Sequence, residues 1–179
     1  MIHAILAPGF EETEAIAVID LLRRAEFEVR IYGLEGLRVC GGHDIVVQTE
    51  AILPDPMMVS GDSLFLPGGN PGAANLRKSE KVQAWVRQCA ASASYLLAIC
   101  AAPAIVADLH LFAGSEITSH PSVRSAFDDS YRYREESVVC SGQLITSRGV
   151  GTAIDFALRI ISEFGADDRA KALRHAIVA

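Results

Sequence analysis

Short apolar runs alternate along this chain with longer stretches of helical spacing, and that alternation limits the fold more than any other feature. Strand-like runs fall at 2–6, 28–32, 63–66, 95–99 and 144–147, and helix-like spacing at 11–25, 80–93, 101–109, 150–164 and 167–176. Strands interleaved with helices cannot all be joined by hairpins. They imply a mostly parallel sheet with helices covering both faces. Three shorter features complete the pattern. Residues 36–42 are turn-rich and 44–49 alternate, which predicts a small hairpin; 117–119 is short and extended; 138–140 and 144–147 flank a turn at Ser141-Gly142. The expected fold is α/β, three-layered, with a mostly parallel central sheet plus a small hairpin. At 179 residues it reads as one domain, 1–179. In such sheets ligands bind at the carboxyl ends of the strands. The loops that fall there contain PGFEE, PGGN, ICAAP and SRGVGT.

Half of the residues are apolar, enough for a core, and the formal charge of −6 speaks against nucleic acid or an anionic membrane held by charge alone. The amino-terminal segment lacks the basic and long apolar regions of a signal peptide, and no apolar run is long enough to span a bilayer. A cytoplasmic protein is expected. The cysteines, Cys40, Cys89, Cys100 and Cys140, form no C-x-x-C pair and no zinc-ligand spacing. Free thiols are expected, and neither a metal nor a cofactor.

Cys100 stands at a strand-to-helix junction, in the window Ala98-Ile99-Cys100-Ala101-Ala102. A nucleophile elbow needs small residues two positions either side of the nucleophile, where the chain crowds against itself. Alanine fills both positions. A helix starting at this point would direct unpaired N–H groups at the sulfur and lower its pKa. The alternative is a buried free cysteine, a common core residue. Glu14 heads a helical stripe whose other members are Val18, Leu21 and Ala25. On that apolar face its carboxyl should be buried and raised in pKa, ready to exchange a proton. Otherwise it is a first-turn charge in solvent. PGGN, at 67–70, follows a strand and can offer backbone N–H groups to an anion, but it is no nucleotide-binding fingerprint, and otherwise it is a tight turn with no ligand. Of the five histidines, His120, in TSHPSV, is the best placed to assist a thiol, and otherwise is a solvated loop residue.

In order, APGFEETEA, LPGGN, AICAAPA, SHP and TSRGVGTAIDFAL resemble the ThiJ/PfpI superfamily, in its DJ-one (parkinsonism-associated deglycase) and YajL-like branch. The resemblance covers nearly the whole chain. It implies a flavodoxin-like sandwich that forms a homodimer. Cys100 would be the reactive, oxidation-prone cysteine and Glu14 the acid hydrogen-bonded to it. Gly69 and Ala101 would supply the oxyanion donors, and His120 a nearby histidine. Arg148 would stand at the pocket entrance, Arg24 on the dimer side, and His43 on the hairpin where an arginine is usual. The activity implied is cofactor-independent conversion of methylglyoxal or glyoxal to hydroxy acids, with deglycation of proteins and nucleotides and a part in oxidative-stress response. A redox sensor or chaperone, in which Cys100 oxidises to a sulfinate, is the alternative. Peptidase or amidotransferase chemistry is disfavoured, because the peptidase branch carries histidine where this chain has Ala101.

Overall fold

The computed structural model describes residues 1–179. In chain order the elements are β1 (Ile2–Leu6), α1 (Glu12–Arg24), β2 (Val29–Gly33), β3 (Arg38–Cys40), β4 (Val46–Gln48), β5 (Ala51–Ile52) and β6 (Ser63–Leu66). They continue with α2 (Gly72–Lys78), α3 (Glu80–Ala91), β7 (Tyr95–Ile99), α4 (Ala104–Asp108), β8 (Glu116–Ile117) and β9 (Arg132–Tyr133). The last four are β10 (Val138–Ser141), β11 (Leu144–Ser147), α5 (Ala153–Glu163) and α6 (Asp167–Ala176). Seven strands make the central sheet, in the order β10-β11-β7-β6-β1-β2-β5, parallel except for the β10/β11 hairpin.

Side chains on a strand alternate between faces, and here both faces are apolar. From β1, β6 and β7, Leu6, Phe65, Leu97 and Ile99 point to one side, against Val18 and Leu22 of α1 and Phe156 and Ile160 of α5. Ile5, Leu64, Leu66 and Leu96 point to the other, against Trp85 and Val86 of α3 and Ile105 of α4. This two-sided burial makes the inner strands continuous apolar runs, as parallel sheets require. No helix is long and apolar enough to cross a membrane.

Several expectations shift. The helix expected over 101–109 is only α4, Ala104–Asp108. Cys100 has φ 64, so the chain leaves β7 through a left-handed residue, and turn bonds from the Ala102 amide to Ile99 and the Ala104 amide to Ala101 occupy the junction. Pro103, without an N–H, caps the helix instead of lying inside it. The β10/β11 turn is Gly142-Gln143, one residue later than expected; the Ser141↔Leu144 pairing fixes it, and Gly142 supplies the positive φ. The 117–119 run reduces to β8, paired with β9. Helix α2 and strand β5 were not expected: seven and two residues are too short to show a period.

The chain runs outward from β1 to β2 and then returns to place β6 on β1's other side. Loops leaving the carboxyl ends of these neighbours diverge and open a crevice. Glu14 follows β1, Gly68 and Gly69 follow β6, and Cys100 follows β7.

Candidate active site

Glu14 lies in the first turn of α1 and is fully buried, as are Val18, Leu21 and Ala25 on the same face. Its Oε2 accepts a hydrogen bond from the Gly68 amide at 2.9 Å, while Oε1 has no partner. Burial is the largest influence on the carboxyl and raises its pKa to about 7; the Gly68 amide and the Cys100 thiol oppose the rise, and the Glu11 charge adds to it.

Cys100 is half-buried beside that carboxyl. A non-glycine residue at φ 64 is strained and must be held by its surroundings. Two backbone bonds do so: the Cys100 amide donates to the Ser147 carbonyl at 3.0 Å, and the His120 amide donates to the Cys100 carbonyl at 2.7 Å. The Gly69 and Ala101 amides donate toward the sulfur and favour its ionised form, but burial and the adjacent Glu14 outweigh them and push the thiol up to about 12. The expectation of a lowered thiol pKa therefore fails for the isolated group. The helix begins at Ala104, too late to present its N-terminus to Cys100, and the neighbouring acid repels a second charge.

The pair is better described by its protons. It holds two at low pH, releases one near neutrality and keeps the other to high pH. The carboxyl and thiol interact directly, yet Oε1 accepts no hydrogen bond. A proton on Oε1 removes this conflict. The hydroxyl then donates to sulfur, and a thiolate receives three donors: Oε1–H and the Gly69 and Ala101 amides.

Both groups face a cavity of about 610 Å³, which His120, Arg148 and the Gly149–Thr152 segment also line. Gly68 makes the close approach possible, since a Cβ there would lie 2.5 Å from the Cys100 Cβ and 2.7 Å from Glu14 Oε2. His120 turns its Cδ2 edge toward Gly149, and its Nδ1 is engaged by Ser122. The Arg148 guanidinium donates to the Glu135 carbonyl at 2.7 Å at the rim. His43 and Arg24 stand outside the cavity. The exposed His43 side chain pairs with Glu12 at 2.9 Å, which raises its pKa, and approaches Glu11 at 3.7 Å. Arg24 ends α1, at the far end from Glu14, and pairs with Asp20 at 2.7 Å. Glu11, Glu12 and His43 bring metal-ligand atoms within 4.8 Å of one another, but the Glu12 carboxylate already accepts from the His43 amide at 2.7 Å and engages its ring. Of the other thiols, Cys89 is buried and pushed up to about 12, Cys140 is half-buried and raised to about 11, both by burial, and Cys40 is exposed.

Sequence reading missed Gly68, Ser122, Gly149 and Thr152. The motifs PGGN, SHP and SRGVGT drew attention to these loops, but which residue of each faces the sulfur depends on contacts between distant segments.

A family model described as the DJ-1/PfpI family matches residues 2–163. Protein dj-1beta of Drosophila melanogaster is 36% identical over 92% of this chain and 89% of its own length. The glutathione-independent glyoxalase DJR-1.2 of Caenorhabditis elegans is 30% identical over 91% of this chain and 87% of its own. The crystal structure of Drosophila melanogaster DJ-1beta superposes with a TM-score of 0.92 at 34% identity, covering 99% of this chain and 97% of that one.

Proposed function

The chain belongs to the DJ-1/PfpI family, and on that premise we propose that it is a cysteine enzyme converting small dicarbonyls such as methylglyoxal to hydroxy acids without a cofactor. One observation carries the reading: a strained, half-buried cysteine facing a cavity beside a fully buried carboxyl whose second oxygen has no partner. A buried orphan acceptor is costly, and a proton transferred during a reaction accounts for it. A worm relative whose name is that of a glyoxalase supports the reading.

The steps balance with these residues alone. The Cys100 thiolate bonds to the aldehyde carbon, the carbonyl pair moves to oxygen beside the Gly69 and Ala101 amides, and Glu14 gives that oxygen its proton. The Glu14 carboxylate then removes the hydrogen of the same carbon. The C–H pair becomes the double bond of an enediolate, whose charge rests on the former ketone oxygen. The hydroxyl proton passes to that oxygen, and Glu14 returns its proton to the second carbon, leaving a hydroxyacyl thioester. Water adds to the thioester and gives one proton to Glu14; the carbon–sulfur bond breaks, restoring the thiolate, and the acid product loses its own proton to solvent. The aldehyde carbon is oxidised and the ketone carbon reduced, so no outside oxidant is consumed.

We also read the protein as a homodimer, since Ile16, Ile45, Ile154 and the cavity-lining Val150 are exposed apolar side chains that a second copy would cover. The test is turnover of methylglyoxal by purified protein, with Cys100→Ser and Glu14→Gln expected to abolish it. Activity retained in either variant refutes the assigned roles. Wild-type protein that gains two oxygens at Cys100 in mild peroxide, but turns over no dicarbonyl, refutes the enzyme and leaves the oxidation sensor.

A further inference from the structure

The proposed reaction places negative charge on two oxygens in turn. The Gly69 and Ala101 amides serve the first, on the attacked carbon. The second, the enediolate oxygen, has no donor among the groups assigned above. His120 lines the same cavity, and which of its ring nitrogens carries the hydrogen decides whether it can serve.

The structure answers this through Ser122. The Ser122 amide donates to His120 Nδ1 at 3.2 Å. A backbone N–H can only donate, so Nδ1 presents a lone pair, and the hydrogen of the neutral ring must be on Nε2. The Ser122 hydroxyl lies 2.8 Å from the same nitrogen, and with Nδ1 already an acceptor it too must donate. Two donors from one residue thus select one tautomer. The backbone holds the ring in place as well: the His120 amide is tied to the Cys100 carbonyl at 2.7 Å, and Pro121 fixes the start of the short 3₁₀ turn that brings Ser122 back onto the ring. The opposite edge faces the reacting groups. His120 Cδ2, bonded to Nε2, lies 3.7 Å from where a Gly149 side chain would begin; Glu14 Oε1 lies 3.7 Å and Cys100 Sγ 4.0 Å from that same point.

We propose that Ser122 fixes His120 as the Nε2–H tautomer, making the imidazole a neutral hydrogen-bond donor to the enediolate oxygen rather than the base that ionises Cys100. A neutral imidazole donor suits an enediolate because it stabilises the charge without giving its proton away. The assignment also divides the work: Glu14 moves every proton to and from carbon, while His120 moves none. His120 is the catalytic residue and Ser122 a positioning residue. The donor role rests on the dicarbonyl reading, whereas the tautomer belongs to the resting protein.

The test has two arms. Nitrogen-15 spectra of the imidazoles, taken well above the ordinary histidine pKa of about 6.5, should show His120 with Nε2 in the N–H range and Nδ1 in the acceptor range. Ser122→Ala, which keeps the amide donor and loses the hydroxyl, should move the two shifts toward each other and lower kcat for methylglyoxal about 5- to 10-fold with KM nearly unchanged. Ser122→Thr should restore most of both. An Nδ1–H spectrum in an active wild-type protein overturns the tautomer and leaves the dicarbonyl reading standing. A Ser122→Ala variant with unchanged spectrum and kcat overturns the positioning role. Wild-type protein that turns over no dicarbonyl overturns the donor role together with the reading it rests on.

Discussion

Replacing Glu14 by glutamine should stabilise the protein while destroying its proposed activity, and the size of the gain follows from the buried carboxyl. In the folded chain the carboxyl titrates at about 7, against an ordinary 4.5, chiefly because burial disfavours its charge. Each pKa unit corresponds to about 1.4 kcal/mol, so ionising Glu14 in the fold costs ~3 kcal/mol more than in the unfolded chain. The sign is fixed by linkage. A raised carboxyl means that the folded state holds the proton more tightly, so stability is full below about 4.5, falls as the pH rises through about 7, and is constant above. Glutamine is nearly isosteric and never ionises. Its carbonyl can still accept from the Gly68 amide, and its NH₂ takes the place of the unpartnered oxygen, facing sulfur. Urea unfolding at a series of pH values should therefore give superimposable curves for wild type and Glu14→Gln near pH 4, and a variant more stable by ~3 kcal/mol near pH 8. A variant that is no more stable at pH 8, or a gap that does not change between the two pH values, would refute the argument that burial holds a proton on this carboxyl.

Gly68→Ala should abolish turnover although both reacting side chains remain, because its methyl would lie 2.5 Å from the Cys100 Cβ and 2.7 Å from Glu14 Oε2. The overpacking should cost about 1–3 kcal/mol in chemical denaturation, and an unchanged midpoint with unchanged turnover would contradict the packing described. Glu12→Ala should free the loop between β3 and β4. Glu12 accepts from the His43 amide at 2.7 Å and the Ile45 amide at 3.5 Å and holds the His43 ring at 2.9 Å. Losing a buried acceptor costs about 1–3 kcal/mol, and hydrogen exchange at the His43 and Ile45 amides should accelerate while the β1 amides stay protected.

Long elements were legible because burial writes a period into them. The stripe Glu14, Val18, Leu21, Ala25 is buried at every position, so a carboxyl among apolar partners was readable as a residue out of place. The strand 95–99 and the helix 167–176 have the bounds their patterns suggest. The sequence was silent where structure depends on a few residues or on distant contacts. Helix α2 has no complete amphipathic repeat, and α4 is shortened by a strained cysteine and a proline that the helix-forming alanines around them conceal. Gly68 and Ser122 lie in motifs that stood out, yet each acts on a side chain from another segment or through a backbone N–H. His43 is oriented by Glu12, on a distant segment that faces it only after folding, whereas Arg24 pairs with Asp20 one helical turn earlier.

The reversal in the expected acidity of Cys100 shows what the fold contributes to the chemistry. A strand-to-helix junction alone suggests a thiol activated by backbone N–H groups, but only two amides reach this sulfur, and the environment favours one charge and resists two. That environment is also what raises Glu14. Both shifts express one constraint, a single negative charge shared by two groups in a buried space, and the position of the remaining proton decides which group is reactive. With the proton on sulfur, the thiol supports the ionised Glu14, although Oε1 makes no hydrogen bond of ordinary geometry. With the proton on Oε1, the acceptor is relieved and the sulfur is surrounded by donors. The thiolate is thus reached by moving that one proton from sulfur to Oε1, where the donors around the sulfur support it, rather than by lowering the pKa of the thiol in isolation. An independent basic residue adjacent in sequence, which Ala101 rules out here, is then unnecessary.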